Sequence, residues 1–244
     1  MNKSSSRIPV ALVWAILFLT AVACGAKKEQ PAQEPTPKPV ADQVVSIPDV
    51  NFAAAVWSAI NKTSGELYRS ELINLTALDI PGRGIIGLAG IEHCASLMRL
   101  NLSGNYLRDL APMAQVRTLT VLDLSNNYIV DISPLRGLTG LKELNLRNNQ
   151  ITDISALAPL VNLVRLDLST NLIADLAPLA GLTKLHYLDL SANKFTDLEA
   201  VRQICVAGGL GPGAVIDLTN NPLGNQAVLR HIPFFKSGGA VVKY

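Results

Sequence analysis

Serine and aspartate recur along this chain at a fixed interval, with one histidine among them. Ser103, Ser125, Ser169 and Ser191 lie multiples of 22 residues apart, and an aspartate stands two residues before each of the last three. Serine, aspartate and histidine are the types a hydrolase uses, but the spacing argues against catalysis. His186 and Ser191 fall on one extended segment, ~16 Å apart at 3.3 Å per residue. A nucleophile and its base must come within ~3 Å. Ser169, one period back, is no nearer. His93 and Cys94 adjoin in sequence but fall on the far side of their unit, which reads as rim and core rather than a dyad. His231 lies in the C-terminal segment. Asp167, Asp189 and Asp217 would stack about 5 Å apart on neighbouring strands, and calcium favours such oxygens. Aspartate there more commonly takes backbone or serine hydrogen bonds, so neither a metal nor a cofactor is expected. A further column varies in type: Arg99, Val121, Glu143, Arg165 and Tyr187, with Arg147 interrupting the serines. Arginine and tyrosine are enriched where proteins bind one another, so these six are the candidate contacts. Tyr106 and Tyr128, one period apart, are placed to stack and extend that surface.

All of these columns exist because the chain repeats, and a repeat decides the fold. Asn105, Asn127, Asn149, Asn171 and Asn193 are 22 apart, as are Asp109, Asp131, Asp153, Asp175 and Asp197. Each unit reads L-x-x-L-x-L-x-x-N-x-[LIF]-x-D, usually followed by [LI]-[SA]-P-[LM]. A weaker unit precedes them from Leu75, with Arg83 where the asparagine belongs. Another follows near Gly213, ending in Asn221 and Leu223, after six extra residues. The "LxLxx" stretch alternates and predicts a short strand with its leucines on one face. Asparagine then satisfies backbone groups in a buried turn, and stacked asparagines, Asn221 included, form a ladder. The proline-bearing return suits 3₁₀ turns or coil. The aspartates from Asp109 to Asp197 are placed to cap those turns. One unit cannot bury its own leucines, whereas a stack can.

This pattern, over residues 75–224, resembles the leucine-rich repeats of bacterial internalins. The resemblance implies an α/β fold, a right-handed leucine-rich-repeat solenoid with a concave parallel β-sheet. It also implies protein–protein recognition on the concave face, no catalysis, and a small helical N-terminal cap; it does not name a ligand.

The ends read differently. Lys3 and Arg7 precede an apolar run of 16 residues, Ile8–Ala23, and then "AVAC". That run is short for a span of ~20 residues and has the form of a signal peptide over residues 1–23. Cys24 resembles the lipidated cysteine of bacterial lipoproteins, although Ala21 stands where that family usually has Leu. The resemblance implies a lipid-anchored protein, in the outer membrane if the cell is Gram-negative; ordinary cleavage would leave it secreted. Residues 24–46 are proline-rich and polar and read as a disordered tether. Residues 47–74 read as a helical N-terminal cap, with Asp49 capping a helix that carries Phe52, Val56, Trp57 and Ile60. Residues 225–244 read as a C-terminal cap with Phe234, Phe235 and a β-prone Val241-Val242.

The chain has 21 basic and 19 acidic residues. Lys3 and Arg7 leave with the signal, so the mature protein is near neutral and has no affinity for nucleic acid written into it. Cys94 and Cys205 lie five strand steps apart, about 24 Å at ~4.8 Å per step, too far for a disulfide. The expected function is therefore a non-enzymatic envelope lipoprotein that presents its repeats to a protein or peptide ligand. The alternative is a structural spacer of the envelope with no specific ligand.

Overall fold

The computed structural model describes residues 42–244. The signal segment, Cys24 and the tether up to residue 41 lie outside the described residues. Strand pairing is present ahead of residue 47, the expected start of the cap. Strand β1 (Val44–Val45) pairs antiparallel with β2 (Leu67–Tyr68), and Val45 is buried. Two β-branched residues suit a strand, and the apolar surface beside Leu67 gives Val45 somewhere to go. Between these strands, α1 (Val50–Ala59) starts at Asp49, whose Oδ1 accepts from the N–H groups of Asn51 and Phe52 at 3.0 and 2.9 Å. Phe52 and Val56 are fully buried, while Trp57 is only half-buried. The second helix, α2 (Arg69–Leu72), is a single turn, held at its start by Tyr68 N–H donating to Glu71 at 2.8 Å.

Seven short parallel strands follow: β3 (Ala77–Asp79), β4 (Arg99–Asn101), β5 (Val121–Asp123), β6 (Glu143–Asn145), β7 (Arg165–Asp167), β8 (Tyr187–Asp189) and, after α3 (Glu199–Val206), β9 (Val215–Asp217). They pair in chain order, and β10 (Val241–Lys243) adds to β9, also in parallel. From β3 to β8 the registered partners are 22 residues apart, as in Ala77 with Arg99 and Glu143 with Arg165. The middle leucine of each strand from β3 to β8 is buried, as is Ile216 in β9. The return segments are 3₁₀ turns, such as Ala111–Gln115 and Ser133–Gly137, with proline in the first turn. There the missing N–H of proline costs no helical bond.

The six extra residues between β8 and β9 are taken up by α3, which replaces a 3₁₀ turn with two turns of helix. Gly209 lets the chain return: a Cβ there would lie 2.7 Å from the Thr183 carbonyl oxygen. Leu210 N–H then donates to Leu185 O at 2.8 Å, and Val215 N–H to His186 O at 3.0 Å, restoring register. Beyond β9 come a π-helical turn (Ala227–His231), α4 (Ile232–Ser237) and β10. Of the two adjacent phenylalanines only Phe235 is buried; Phe234 is 41% exposed. One continuous apolar core runs from Phe52 to Phe235.

Candidate recognition surface

The asparagine ladder is the frame of the site. Asn149 shows its construction. Its Oδ1 accepts from Ile129 N–H, 20 residues back, at 3.0 Å, and its Nδ2 donates to Leu124 O, 25 back, and to Leu146 O, 3 back, each at 3.0 Å. Asn105, Asn127, Asn171 and Asn193 repeat the pattern. Each amide thus ties a turn to the preceding unit. Asn221 is part-buried and accepts instead from Asn193 N–H at 3.0 Å, a consequence of the longer unit before it. The aspartates after the turn hold the 3₁₀ starts: Asp109, Asp131, Asp153 and Asp175 each accept from the N–H two residues on, at 2.7–2.8 Å.

On the outer face of the sheet, the Ser and Asp columns bond to one another. Ser125, Ser169 and Ser191 donate their hydroxyls to Asp123, Asp167 and Asp189 at 2.6, 2.6 and 2.7 Å, and Thr219 donates to Asp217 at 2.7 Å. The same carboxylates take the Ser or Thr backbone N–H. These serines are strand-end fasteners, and none is hydrogen-bonded to a histidine.

The variable column is differently placed. Arg99, Glu143, Arg147 and Arg165 are exposed, and Val121 and Tyr187 are half-buried. Two of them come together: the Arg165 guanidinium lies 3.6 Å from the Tyr187 ring centroid. Glu143 and Arg165 are registered partners on β6 and β7, yet form no ion pair. Among the described residues none of Arg99, Glu143, Arg147 and Arg165 is in a salt bridge. Burial raises the Tyr187 phenol, as do Asp189 and Asp167, and Arg165 partly offsets them.

Cys94 and Cys205 are both free. Burial pushes the Cys94 thiol up to about 11, which suits packing rather than nucleophilic chemistry. Sequence reasoning gave His231 no role beyond its segment. It is buried, with Nδ1 at 3.7 Å from Asp197 and Nε2 at 3.7 Å from Glu199. No repeat carries it there, so the pattern held no signal for it. Among the described residues no cluster of His, Cys, Asp and Glu is arranged to hold a metal ion, and no helix is long and apolar enough to cross a membrane.

The sequence description of leucine-rich repeats in two copies matches residues 117–159 and again 161–203. The chain is a leucine-rich-repeat solenoid. Its likeness to solved structures leads to the same architecture. An internalin (inlF) of Listeria monocytogenes is 25% identical, with a TM-score of 0.63, over 81% of this chain and 62% of its own. The solenoid therefore spans under two thirds of that protein. Internalin C2 (inlC2) of the same organism is 28% identical, with a TM-score of 0.60, over 80% of this chain and 93% of its own. A leucine-rich-repeat protein of Leptospira interrogans, 22% identical over 71% of this chain and 50% of its own with a TM-score of 0.52, shares the fold. No curated protein sequence matches. The solenoid is thus internalin-like in its repeats and architecture.

Proposed function

We propose that this chain is a non-enzymatic recognition module of the cell envelope, which binds a protein or peptide ligand on the outer face of its sheet. One observation carries the reading. On a face whose Ser and Asp side chains are already bonded to one another, Arg99, Glu143, Arg147 and Arg165 project without ion-pair partners, beside a Tyr187 ring held against Arg165. The sheet fixes the backbone from which these charges project, so binding orders side chains alone and no main chain. The likeness to internalins supports the same class of function. Lipidation of Cys24 would anchor the module to a membrane, and the proline-rich tether would carry the solenoid away from it. The reading needs no cofactor and no nucleic acid.

The test is capture from envelope extract by the full chain, beside a variant with Arg99, Glu143, Arg165 and Tyr187 all changed to Ala. A partner retained by the first and lost by the second, with an unchanged melting temperature, supports sheet-face recognition. Equal capture by both moves binding elsewhere. Specific capture by neither favours the envelope spacer. Cys24→Ser, followed by loss of fatty-acid labelling and release from the membrane fraction, tests the anchor separately.

A further inference from the structure

Beside the asparagine turns, on a flank distinct from the variable column, the chain exposes two aromatic rings that the core does not use. Tyr106 and Tyr128 sit one period apart with centroids 6.0 Å apart and planes at 28°. They are 55% and 42% exposed. The same position in the flanking units holds Gly84 and Gln150. Gly84 puts no side chain of its own against the end of the pair: a Cβ there would stand 3.9 Å from Tyr106 Cε2 and 3.5 Å from Asn51 Nδ2, the side chain that lies beside it. Arg108 lies 5.5 Å from the Tyr128 ring centroid.

A row of amides runs next to the rings. Asn126 and Asn148 are exposed, with φ of 56° and 53°. Asn148 Nδ2 donates to Asn126 Oδ1 at 3.0 Å. Among the described residues this leaves Asn126 Nδ2 and Asn148 Oδ1 without hydrogen-bond partners, a free donor and a free acceptor on one rigid row. The rings, these amides and Gln150 line a shallow groove of about 240 Å³.

We propose that this groove binds an oligosaccharide. A pyranose has a face of C–H groups that stacks on an aromatic ring, and a rim of hydroxyls that both donate and accept. Tyrosine offers an apolar body with a polar tip, and planar amides offer donor and acceptor together. The groove supplies both in one place. An anionic ligand would call for a cluster of cations, and among the described residues Arg108 is the one cation against the stacked rings. The site shares no residue with the variable column, so the proposal stands apart from protein recognition there.

The experiment is titration of the full chain with chitotetraose and with cellotetraose, together with co-sedimentation on insoluble peptidoglycan. Saturable binding of at least one glycan is expected, weakened about tenfold or more in Tyr106→Ala/Tyr128→Ala. Asn126→Gly/Asn148→Gly should weaken it likewise, and glycine accepts the positive φ there, so the backbone is kept. Arg165→Ala/Tyr187→Ala should bind as the parent does. Preference for chitotetraose and peptidoglycan over cellotetraose would assign the site to N-acetylated sugars; equal binding would assign it to the pyranose face alone. Absence of binding to all three overturns the proposal, as does binding that both flank variants retain with melting temperatures unchanged. Loss of a captured protein from the Tyr106→Ala/Tyr128→Ala variant, without any glycan binding, would also overturn it and make the flank a protein contact.

Discussion

The carboxylate of Asp49 binds the backbone N–H of Ile86 at 2.7 Å, joining the helical segment to the first repeat. Oδ2 also accepts from Gly87 N–H at 3.0 Å, while Oδ1 caps α1. This repeat has Arg83 in place of the ladder asparagine, and Asp49 together with Asn51, whose amide donates to Gly84 O at 3.1 Å, ties its turn to α1. Asp49→Ala should lower unfolding free energy by about 2 kcal/mol, for a lost cap and two orphaned donors. Urea denaturation at neutral pH measures it; a midpoint unchanged from the parent would refute the role.

Asp49 also gives a pH dependence. Burial opposes its ionisation, but four backbone N–H donors together hold its carboxyl below the usual 3.8. A lowered folded value means the stabilisation is complete above the unfolded pKa and is lost as pH falls through the folded one. The parent should lose stability below about pH 4, and Asp49→Asn should lose less over that window.

Thr170 is held at φ 56°, a conformation that a β-branched residue adopts only under strain. Its hydroxyl makes no hydrogen bond among the described residues. Thr170→Asn should therefore raise stability, by about 0.5–1 kcal/mol. Asn148, at the equivalent place, already has the suited residue. Thermal melts of the two proteins decide it, and a lower melting temperature in the variant would count against strain.

Asn149 ties its own turn to the unit before it and is nearly buried. Asn149→Ala leaves buried donors and acceptors unpaired and should cost about 3 kcal/mol. Asn221→Ala, at the part-buried last rung, should cost distinctly less. Equal losses at the two sites would mean that burial does not set the ladder's value.

Cysteine labelling separates the two described thiols. Cys94 is buried with its pKa near 11, and Cys205 is half-exposed with its thiol raised by burial to a lesser extent. At mildly alkaline pH iodoacetamide should modify Cys205 slowly and Cys94 only on unfolding. Peptide mass mapping reads both. Early modification of Cys94 would require that region to open in the native state.

Much of this fold was legible because its information is local and written many times over. The alternation of Leu100 and Leu102 predicts a strand face, and the asparagine and aspartate columns predict turns that satisfy their own backbone. The prolines exclude long helices on the return side. Spacing along the solenoid excluded a bond between Cys94 and Cys205, since the distance follows from counting strands. The residues of the candidate surface were legible as a column, because a strand position sets which face a side chain takes. Their partners were not. Arg165 turns to Tyr187 rather than to Glu143, a choice between two neighbours at the same register that depends on rotamers and local burial.

The sequence by itself determined the repeat, the strand faces, the ladder and the kind of surface available. The tertiary structure decided what happens where the repeat fails. Val44 and Val45 leave the polar segment to pair with Leu67 and Tyr68, Asp49 serves the turn that Arg83 cannot, and Phe235 is buried while Phe234 faces solvent. The reason is physical. Inside the repeat each residue meets the same neighbours at the same offset, so pattern implies contact. At the ends and on the variable column, contacts join segments with no fixed offset, and only the packed chain places one beside another.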